Sequence, residues 1–99
     1  MVTLCSYDIS DNRIRQKVSN TLQHFGVMRV QKSVYAGEIS GMAYKSLLKA
    51  LDQIRPFLKK EDMIAVWKLS IDVFRAAIQL GDPIDYTLYL KCRGETLML

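Results

Sequence analysis

The stretch SYDISDNRIRQK, Ser6–Lys17, decides the fold, because a strand gives way to a helix within it. The run VTLCSYDI (2–9) is built from β-compatible residues and reads as an N-terminal strand. Ser10 then stands as a helix N-cap, with Asp11 in the first turn, where an acid complements the helix dipole. Ile14, Val18, Leu22 and Phe25 recur at helical spacing, and Gly26 suits the left-handed position just past the helix end. The same stretch sets an acid, Asp8, at a strand end and follows it with bases at Arg13, Arg15 and Lys17. That combination is either plain turn chemistry or a metal ligand within a phosphate-binding surface.

Outward from this unit, residues 27–39 alternate. Met28, Val30, Val34 and Ala36 fall on one side, and Arg29, Gln31, Ser33 and Tyr35 on the other. Lys32 interrupts the apolar side, so the segment reads as one bent strand or a short hairpin. Ser40 caps a second helix striped by Tyr44, Leu47, Leu48, Leu51 and Ile54, and Pro56 disfavours its continuation past Arg55. MIAVWKL (63–69) is nearly continuous in apolar residues and reads as a central strand. A turn over 70–75 leads to two further strand patterns, AAIQL (76–80) and IDYTLYL (84–90). The order is that of an α+β, ferredoxin-like βαββαβ fold, an antiparallel sheet with two helices on one face. One domain spans 1–99, with residues 82–99 as a C-terminal extension. IDYTLYL has no place in the minimal sheet, so it is expected to extend a partner's sheet edge in a homodimer.

Composition narrows the class. At 99 residues, 49% hydrophobic and 24% charged, the chain suits one globular domain. No apolar run approaches the length of a membrane span, and no secretory signal opens the chain, so a cytosolic protein without membrane partners is expected. Cys5 and Cys92 lie far apart with no metal spacing, and Cys5 reads as a small buried hydrophobe. His24 is the lone histidine, which disfavours zinc or triad chemistry, and no glycine-rich nucleotide loop is present. Residues 1–60 hold ten Lys/Arg against four Asp/Glu (+6), and residues 61–99 hold four against six (−2), giving +4 in all. A basic first half is compatible with a polyanionic partner.

A single Asp8 is a poor Mg²⁺ site. Two copies across a twofold axis form a better one, because Mg²⁺ keeps waters and borrows phosphate oxygens. Without metal, such a carboxylate pair resists joint ionisation. Arg13, Arg15, Lys17 and Arg29 are candidates for the nucleic-acid backbone, Ser33 for phosphate or water, and Tyr7 and Tyr35 for packing or base stacking. Each has a plainer alternative: a solvated helix face for Arg15 and Lys17, a bulge for Ser33, a half-buried strand aromatic for Tyr35.

YDISDNRIRQK followed by GVMRVQKSVYAGEI resembles the CRISPR-associated Cas-two family. The pattern is Tyr7-Asp8, a capped helix with spaced bases, Arg29-Val30-Gln31, Ser33-Val34-Tyr35 and Gly37, covering residues 3 to 38 closely and the remainder loosely. The resemblance implies a prokaryotic, cytoplasmic ferredoxin-like homodimer that bridges the Cas-one integrase and binds duplex DNA during spacer acquisition. It also implies a Mg²⁺-dependent endonuclease on single-stranded RNA or double-stranded DNA. The family's metal aspartate maps onto Asp8, and its activity-linked positions onto Tyr7, Arg15, Lys17, Arg29, Ser33 and Tyr35. Lys17 replaces a frequent Arg and Tyr35 a usual Phe. A catalytically idle nucleic-acid-binding assembly subunit and a toxin-type endoribonuclease of the same fold are the alternatives.

Overall fold

The computed structural model describes residues 1–90. Strand β1 (Val2–Asp8) leads into helix α1 (Asn12–His24), then β2 (Met28–Gln31), β3 (Val34–Gly37), helix α2 (Gly41–Asp52) and β4 (Met63–Leu69). The sheet order is β2-β3-β1-β4, and every neighbouring pair is antiparallel. β1 therefore runs parallel to β2, and β3 to β4, each pair joined through a helix. These are the two split β-α-β units of a ferredoxin-like fold.

Asp11, rather than Ser10, caps α1: its carboxylate accepts from the N–H groups of Arg13 (2.8 Å) and Ile14 (3.1 Å). Ser10 instead donates its N–H (3.0 Å) and its hydroxyl (3.1 Å) to Asp62, which also accepts from the N–H of Lys59 (2.8 Å). One carboxylate thus ties the exit of β1 to the loop before β4. These hydrogen bonds hold both Asp11 and Asp62 below the usual carboxylate range. Gly26 takes φ +89° after α1, as its position in the sequence requires.

The helices bury their stripes on one sheet face. Val18, Leu22, Leu47, Leu51 and Ile54 pack with Cys5, Tyr7 and Tyr35. Full burial of each such aliphatic side chain contributes about 1.5–3 kcal/mol. Cys5 is wholly buried, which pushes its thiol up to about 12 and leaves it inert. On the opposite face, Val2 and Ala36 meet Phe74 and Leu90.

Three expectations change. β4 is an edge strand, not a central one. Its apolar run is explained by two faces, with Ile64 and Val66 turned to the helix-side core and Met63 and Trp67 half-exposed on the other side. Segment 27–39 is a hairpin, and its polar side is the one turned to the helices, since Tyr35 is buried there while Met28 is half-exposed. Neither C-terminal pattern is a strand. Ser70 caps the short helix α3 (Ile71–Arg75), and residues 76–80 carry no regular element. The Gln79 side chain closes the following loop on the backbone of Ile84 (2.7 and 3.0 Å), in place of a strand partner. Tyr86–Tyr89 form a 3-10 turn capped by Asp85, and Leu90 packs on the chain's own sheet. The remainder of the proposed extension, with Cys92, lies outside the described residues.

Two pairs of substitutions test this packing. A Cβ on Gly37 would stand 2.5 Å from the Gly26 carbonyl oxygen and 3.0 Å from Val27 Cα, both backbone, whereas one on Gly41 meets nothing within 4 Å. Gly37→Ala is expected to lower the unfolding free energy by about 1–3 kcal/mol, and Gly41→Ala to leave it unchanged or raise it by up to about 1 kcal/mol, in urea titrations. Ser33 sits at φ +65°. Ser33→Gly should hold or improve stability, while Ser33→Val should lose about 1–2 kcal/mol by the same measurement.

Candidate functional site

β1 is a two-sided element, so adjacent side chains leave opposite faces of the sheet. Tyr7 points into the helix-side layer and is 9% exposed, while Asp8, the last residue of the strand, is exposed on the other side. Asp8 pairs in register with Met63, and Ser6 with Ala65. The carboxylate therefore stands at the uncovered end of the outer sheet face, anchored by the ladder before it and the Ser10–Asp62 bonds after it.

On the helix side, a cavity of about 390 Å³ opens between α1 and the β2–β3 turn, lined by Tyr7, Asn12, Arg15, Arg29, Ser33 and Tyr35 among others. Five of the residues singled out in the sequence thus meet in one place. Arg29 lies opposite Tyr35 in the hairpin register, and Tyr35 opposite Cys5. Ser33 contributes through its backbone: its left-handed conformation turns the hairpin, and its carbonyl accepts the Tyr7 N–H at 3.1 Å. The Tyr7 and Tyr35 rings stack with centroids 5.9 Å apart. Burial, and next the neighbouring Tyr35 hydroxyl, push the Tyr7 phenol up to about 12, against the pull of the Arg29 guanidinium. At neutral pH Tyr7 is a neutral hydrogen-bond donor, not a base.

Tyr35 is 3% exposed, so it walls the cavity rather than offering an open ring face. Its hydroxyl shares a hydrogen bond with Ser19 Oγ (2.5 Å), which also accepts from Gln23 Nε2 (2.9 Å). The hydroxyl that distinguishes Tyr35 from a Phe is thereby satisfied inside the core, as burial requires. Ser19 is the residue that sequence reading missed. Its position, on the core-facing side of α1 among apolar neighbours, is the only signal it leaves.

Arg13 and Lys17 do not join this cavity. They line a separate groove along α1 with His24 and Phe25, and Lys17 Nζ lies 5.8 Å from the centre of the Phe57 ring. Lys32, at the turn, is the third base of the cavity beside Arg15 and Arg29. From the 3-10 turn, Tyr89 donates its hydroxyl to the Arg29 carbonyl at 2.8 Å.

Among the described residues no three His, Cys, Asp or Glu side chains gather to cage a cation. Asp8 supplies one exposed carboxylate. Mg²⁺ is commonly held by one or two carboxylates with waters and phosphate oxygens, a donor type that one exposed carboxylate fits. No helix among the described residues is long and apolar enough to cross a membrane.

The chain matches the family model described as CRISPR associated protein Cas2 over residues 1–76. It is 30% identical over 83 residues to a Pyrobaculum aerophilum protein named CRISPR-associated endoribonuclease Cas2 2, a match covering 84% of this chain and 89% of that one. It is 35% identical over 51 residues to a Thermoproteus tenax protein named CRISPR-associated endonuclease Cas1/endonuclease Cas2 fusion, over 52% of this chain and 19% of that one. The crystal structure of Streptococcus pyogenes Cas2 at pH 6.5 covers 82% of this chain and 100% of its own, with a TM-score of 0.66 at 23% identity, a likeness of fold. With a ferredoxin-like sheet in which Tyr7 and Asp8 end the central strand, and with this family match over most of its length, the chain belongs to the CRISPR associated protein Cas2 family.

Proposed function

We propose that the protein is a nucleic-acid-binding homodimer of CRISPR adaptation, working beside a Cas1-type integrase on duplex DNA, with Mg²⁺-dependent phosphodiesterase activity on RNA or DNA. The observation that carries this reading is the division at the end of β1. Arg15 and Arg29 converge on one side with Tyr7, and Asp8 stands alone on the other. A nucleic-acid backbone is a suitable counterpart for the bases, and a second Asp8 for the first. The fused Cas1 and Cas2 named in the Thermoproteus tenax relative supports the integrase as partner.

The outer sheet face supports dimerisation. Leu4 pairs in register with Trp67 and Ala36, so this row is apolar across three strands, and Trp67 and Met63 are about half-exposed at its edge. Ile78 and Leu80, after α3, are 90% and 93% exposed. A second copy covering this face would remove Trp67 and Met63 from water and bring its own Asp8 towards the first. When bound there, Mg²⁺ would polarise a phosphate and lower the pKa of water. The chain's own parts in the reaction are then distinct. Asp8 holds charge at the interface, Arg15 and Arg29 orient the sugar-phosphate chain, and Tyr7 donates a hydrogen bond without changing protonation.

Asp8→Asn is expected to cut cleavage of a labelled RNA or DNA by at least about 100-fold and to weaken Mg²⁺ binding in calorimetry. Its unfolding transition should stay near that of the parent, since the side chain is exposed. Undiminished cleavage by the pure variant would remove Asp8 from the reaction and leave the binding and assembly role. Dimerisation has its own measurement: light scattering should give twice the chain mass for the parent and a shift towards the single-chain mass for Trp67→Glu. Monomers at every concentration of the parent would end the proposal of a shared site.

A further inference from the structure

The cavity between α1 and the β2–β3 turn holds more positive charge than one link of a sugar-phosphate chain can offset. Arg15 comes from the helix, Arg29 from β2 and Lys32 from the turn, and no acidic side chain lines the space. Among the described residues, none of these three has an ion-pair partner. Within the described residues, three like charges thus share one concavity with no acid beside them. An internal phosphodiester brings one negative charge and two free oxygens. A phosphomonoester, with a second pKa near 6, brings close to two charges at neutral pH and three free oxygens. The lining also offers neutral donors, the Asn12 amide, the Ser33 hydroxyl and the Tyr7 phenol. A volume of about 390 Å³ lies at the small end of the range for small-molecule sites, roughly 300–1,000 Å³, and suits a terminal group entering a recess.

We infer that this cavity is an end-recognition site, which takes the terminal phosphomonoester of a single-stranded nucleic acid on Arg15, Arg29 and Lys32. The inference rests on the nucleic-acid binding proposed above. It deepens that reading by assigning the cavity to chain ends instead of to the backbone in passing. Lys32 is its discriminating residue. The two arginines reach the cavity from a helix and a strand, whereas Lys32 sits on the hairpin turn, whose geometry is set by Ser33 at φ +65° and by the Ser33 carbonyl bonded to Tyr7. The turn holds the third charge over the recess, and the third charge is what separates a monoester from a diester.

The test uses the full-length protein in EDTA, so that no cleavage intervenes, and three fluorescent 12-nucleotide RNAs of one sequence. They carry a 5′-phosphate, a 3′-phosphate, or hydroxyls at both ends. One phosphorylated form is expected to bind about tenfold more tightly than the hydroxyl form, and which one identifies the end that enters. Lys32→Ala should weaken all three through the lost charge and bring the ratio below about threefold. Lys49→Ala, which removes an exposed charge from α2 outside the cavity, should leave the ratio near tenfold. Equal affinity for all three RNAs in the parent would overturn end recognition while leaving nucleic-acid binding intact. A ratio that survives Lys32→Ala would overturn the placement of the site. Binding of none would overturn this inference, and a 12-base-pair DNA duplex in the same buffer separates the two failures, since only its failure to bind as well would overturn the nucleic-acid binding on which the inference rests.

Discussion

Everything at the site follows from the pleat of one strand. β1 is hydrogen-bonded on both sides, to β3 and to β4, along most of its length, so its register is fixed by two ladders at once. A slip of one residue would exchange its two faces, sending Val2 and Leu4 towards the helices and Cys5 and Tyr7 away from them. Burial of Cys5 and Tyr7 in the helix-side core forbids that exchange. Asp8 is therefore held outward by the burial of its neighbours on the opposite face. The acid and the bases are neighbours in sequence, yet the sheet divides them.

That division separates two kinds of work. The helix side of the sheet is finished within one chain: its core is closed, its buried tyrosine is bonded to Ser19, and its cavity is complete with Lys32 at the turn. The outer face is finished at one end only, where Phe74 and Leu90 cover Val2 and Ala36. Its other end, with Asp8, Met63 and Trp67, remains open. In the proposed dimer, the bases on the closed side would grip a polyanion within one copy, and the carboxylate on the open side would be joined by that of the second. Asp62 extends the same logic to the turn. By accepting three hydrogen bonds from Ser10 and Lys59 it fixes the chain just after Asp8. Its carboxyl is held below the usual range by those bonds, so the tie persists until acid protonates it and is lost as pH falls through that lowered value.

The sequence by itself determined the ferredoxin-like order of elements, the left-handed glycine after α1 and the apolar stripes of both helices. These depend on residues close in the chain, where periodicity and capping act. It also picked out Tyr7, Arg15, Arg29, Ser33 and Tyr35, which the fold does bring to one cavity. Only the tertiary structure decided that β4 is an edge, that Asp62 claims Ser10 and leaves the cap to Asp11, and that Lys32 replaces Arg13 and Lys17 beside Arg15. It also decided that the late strand-like run folds as a 3-10 turn on its own sheet. The physical reason is common to all four. Each depends on which distant backbone or side chain arrives to take a hydrogen bond or cover a face, and spacing along the chain carries no information about that arrival.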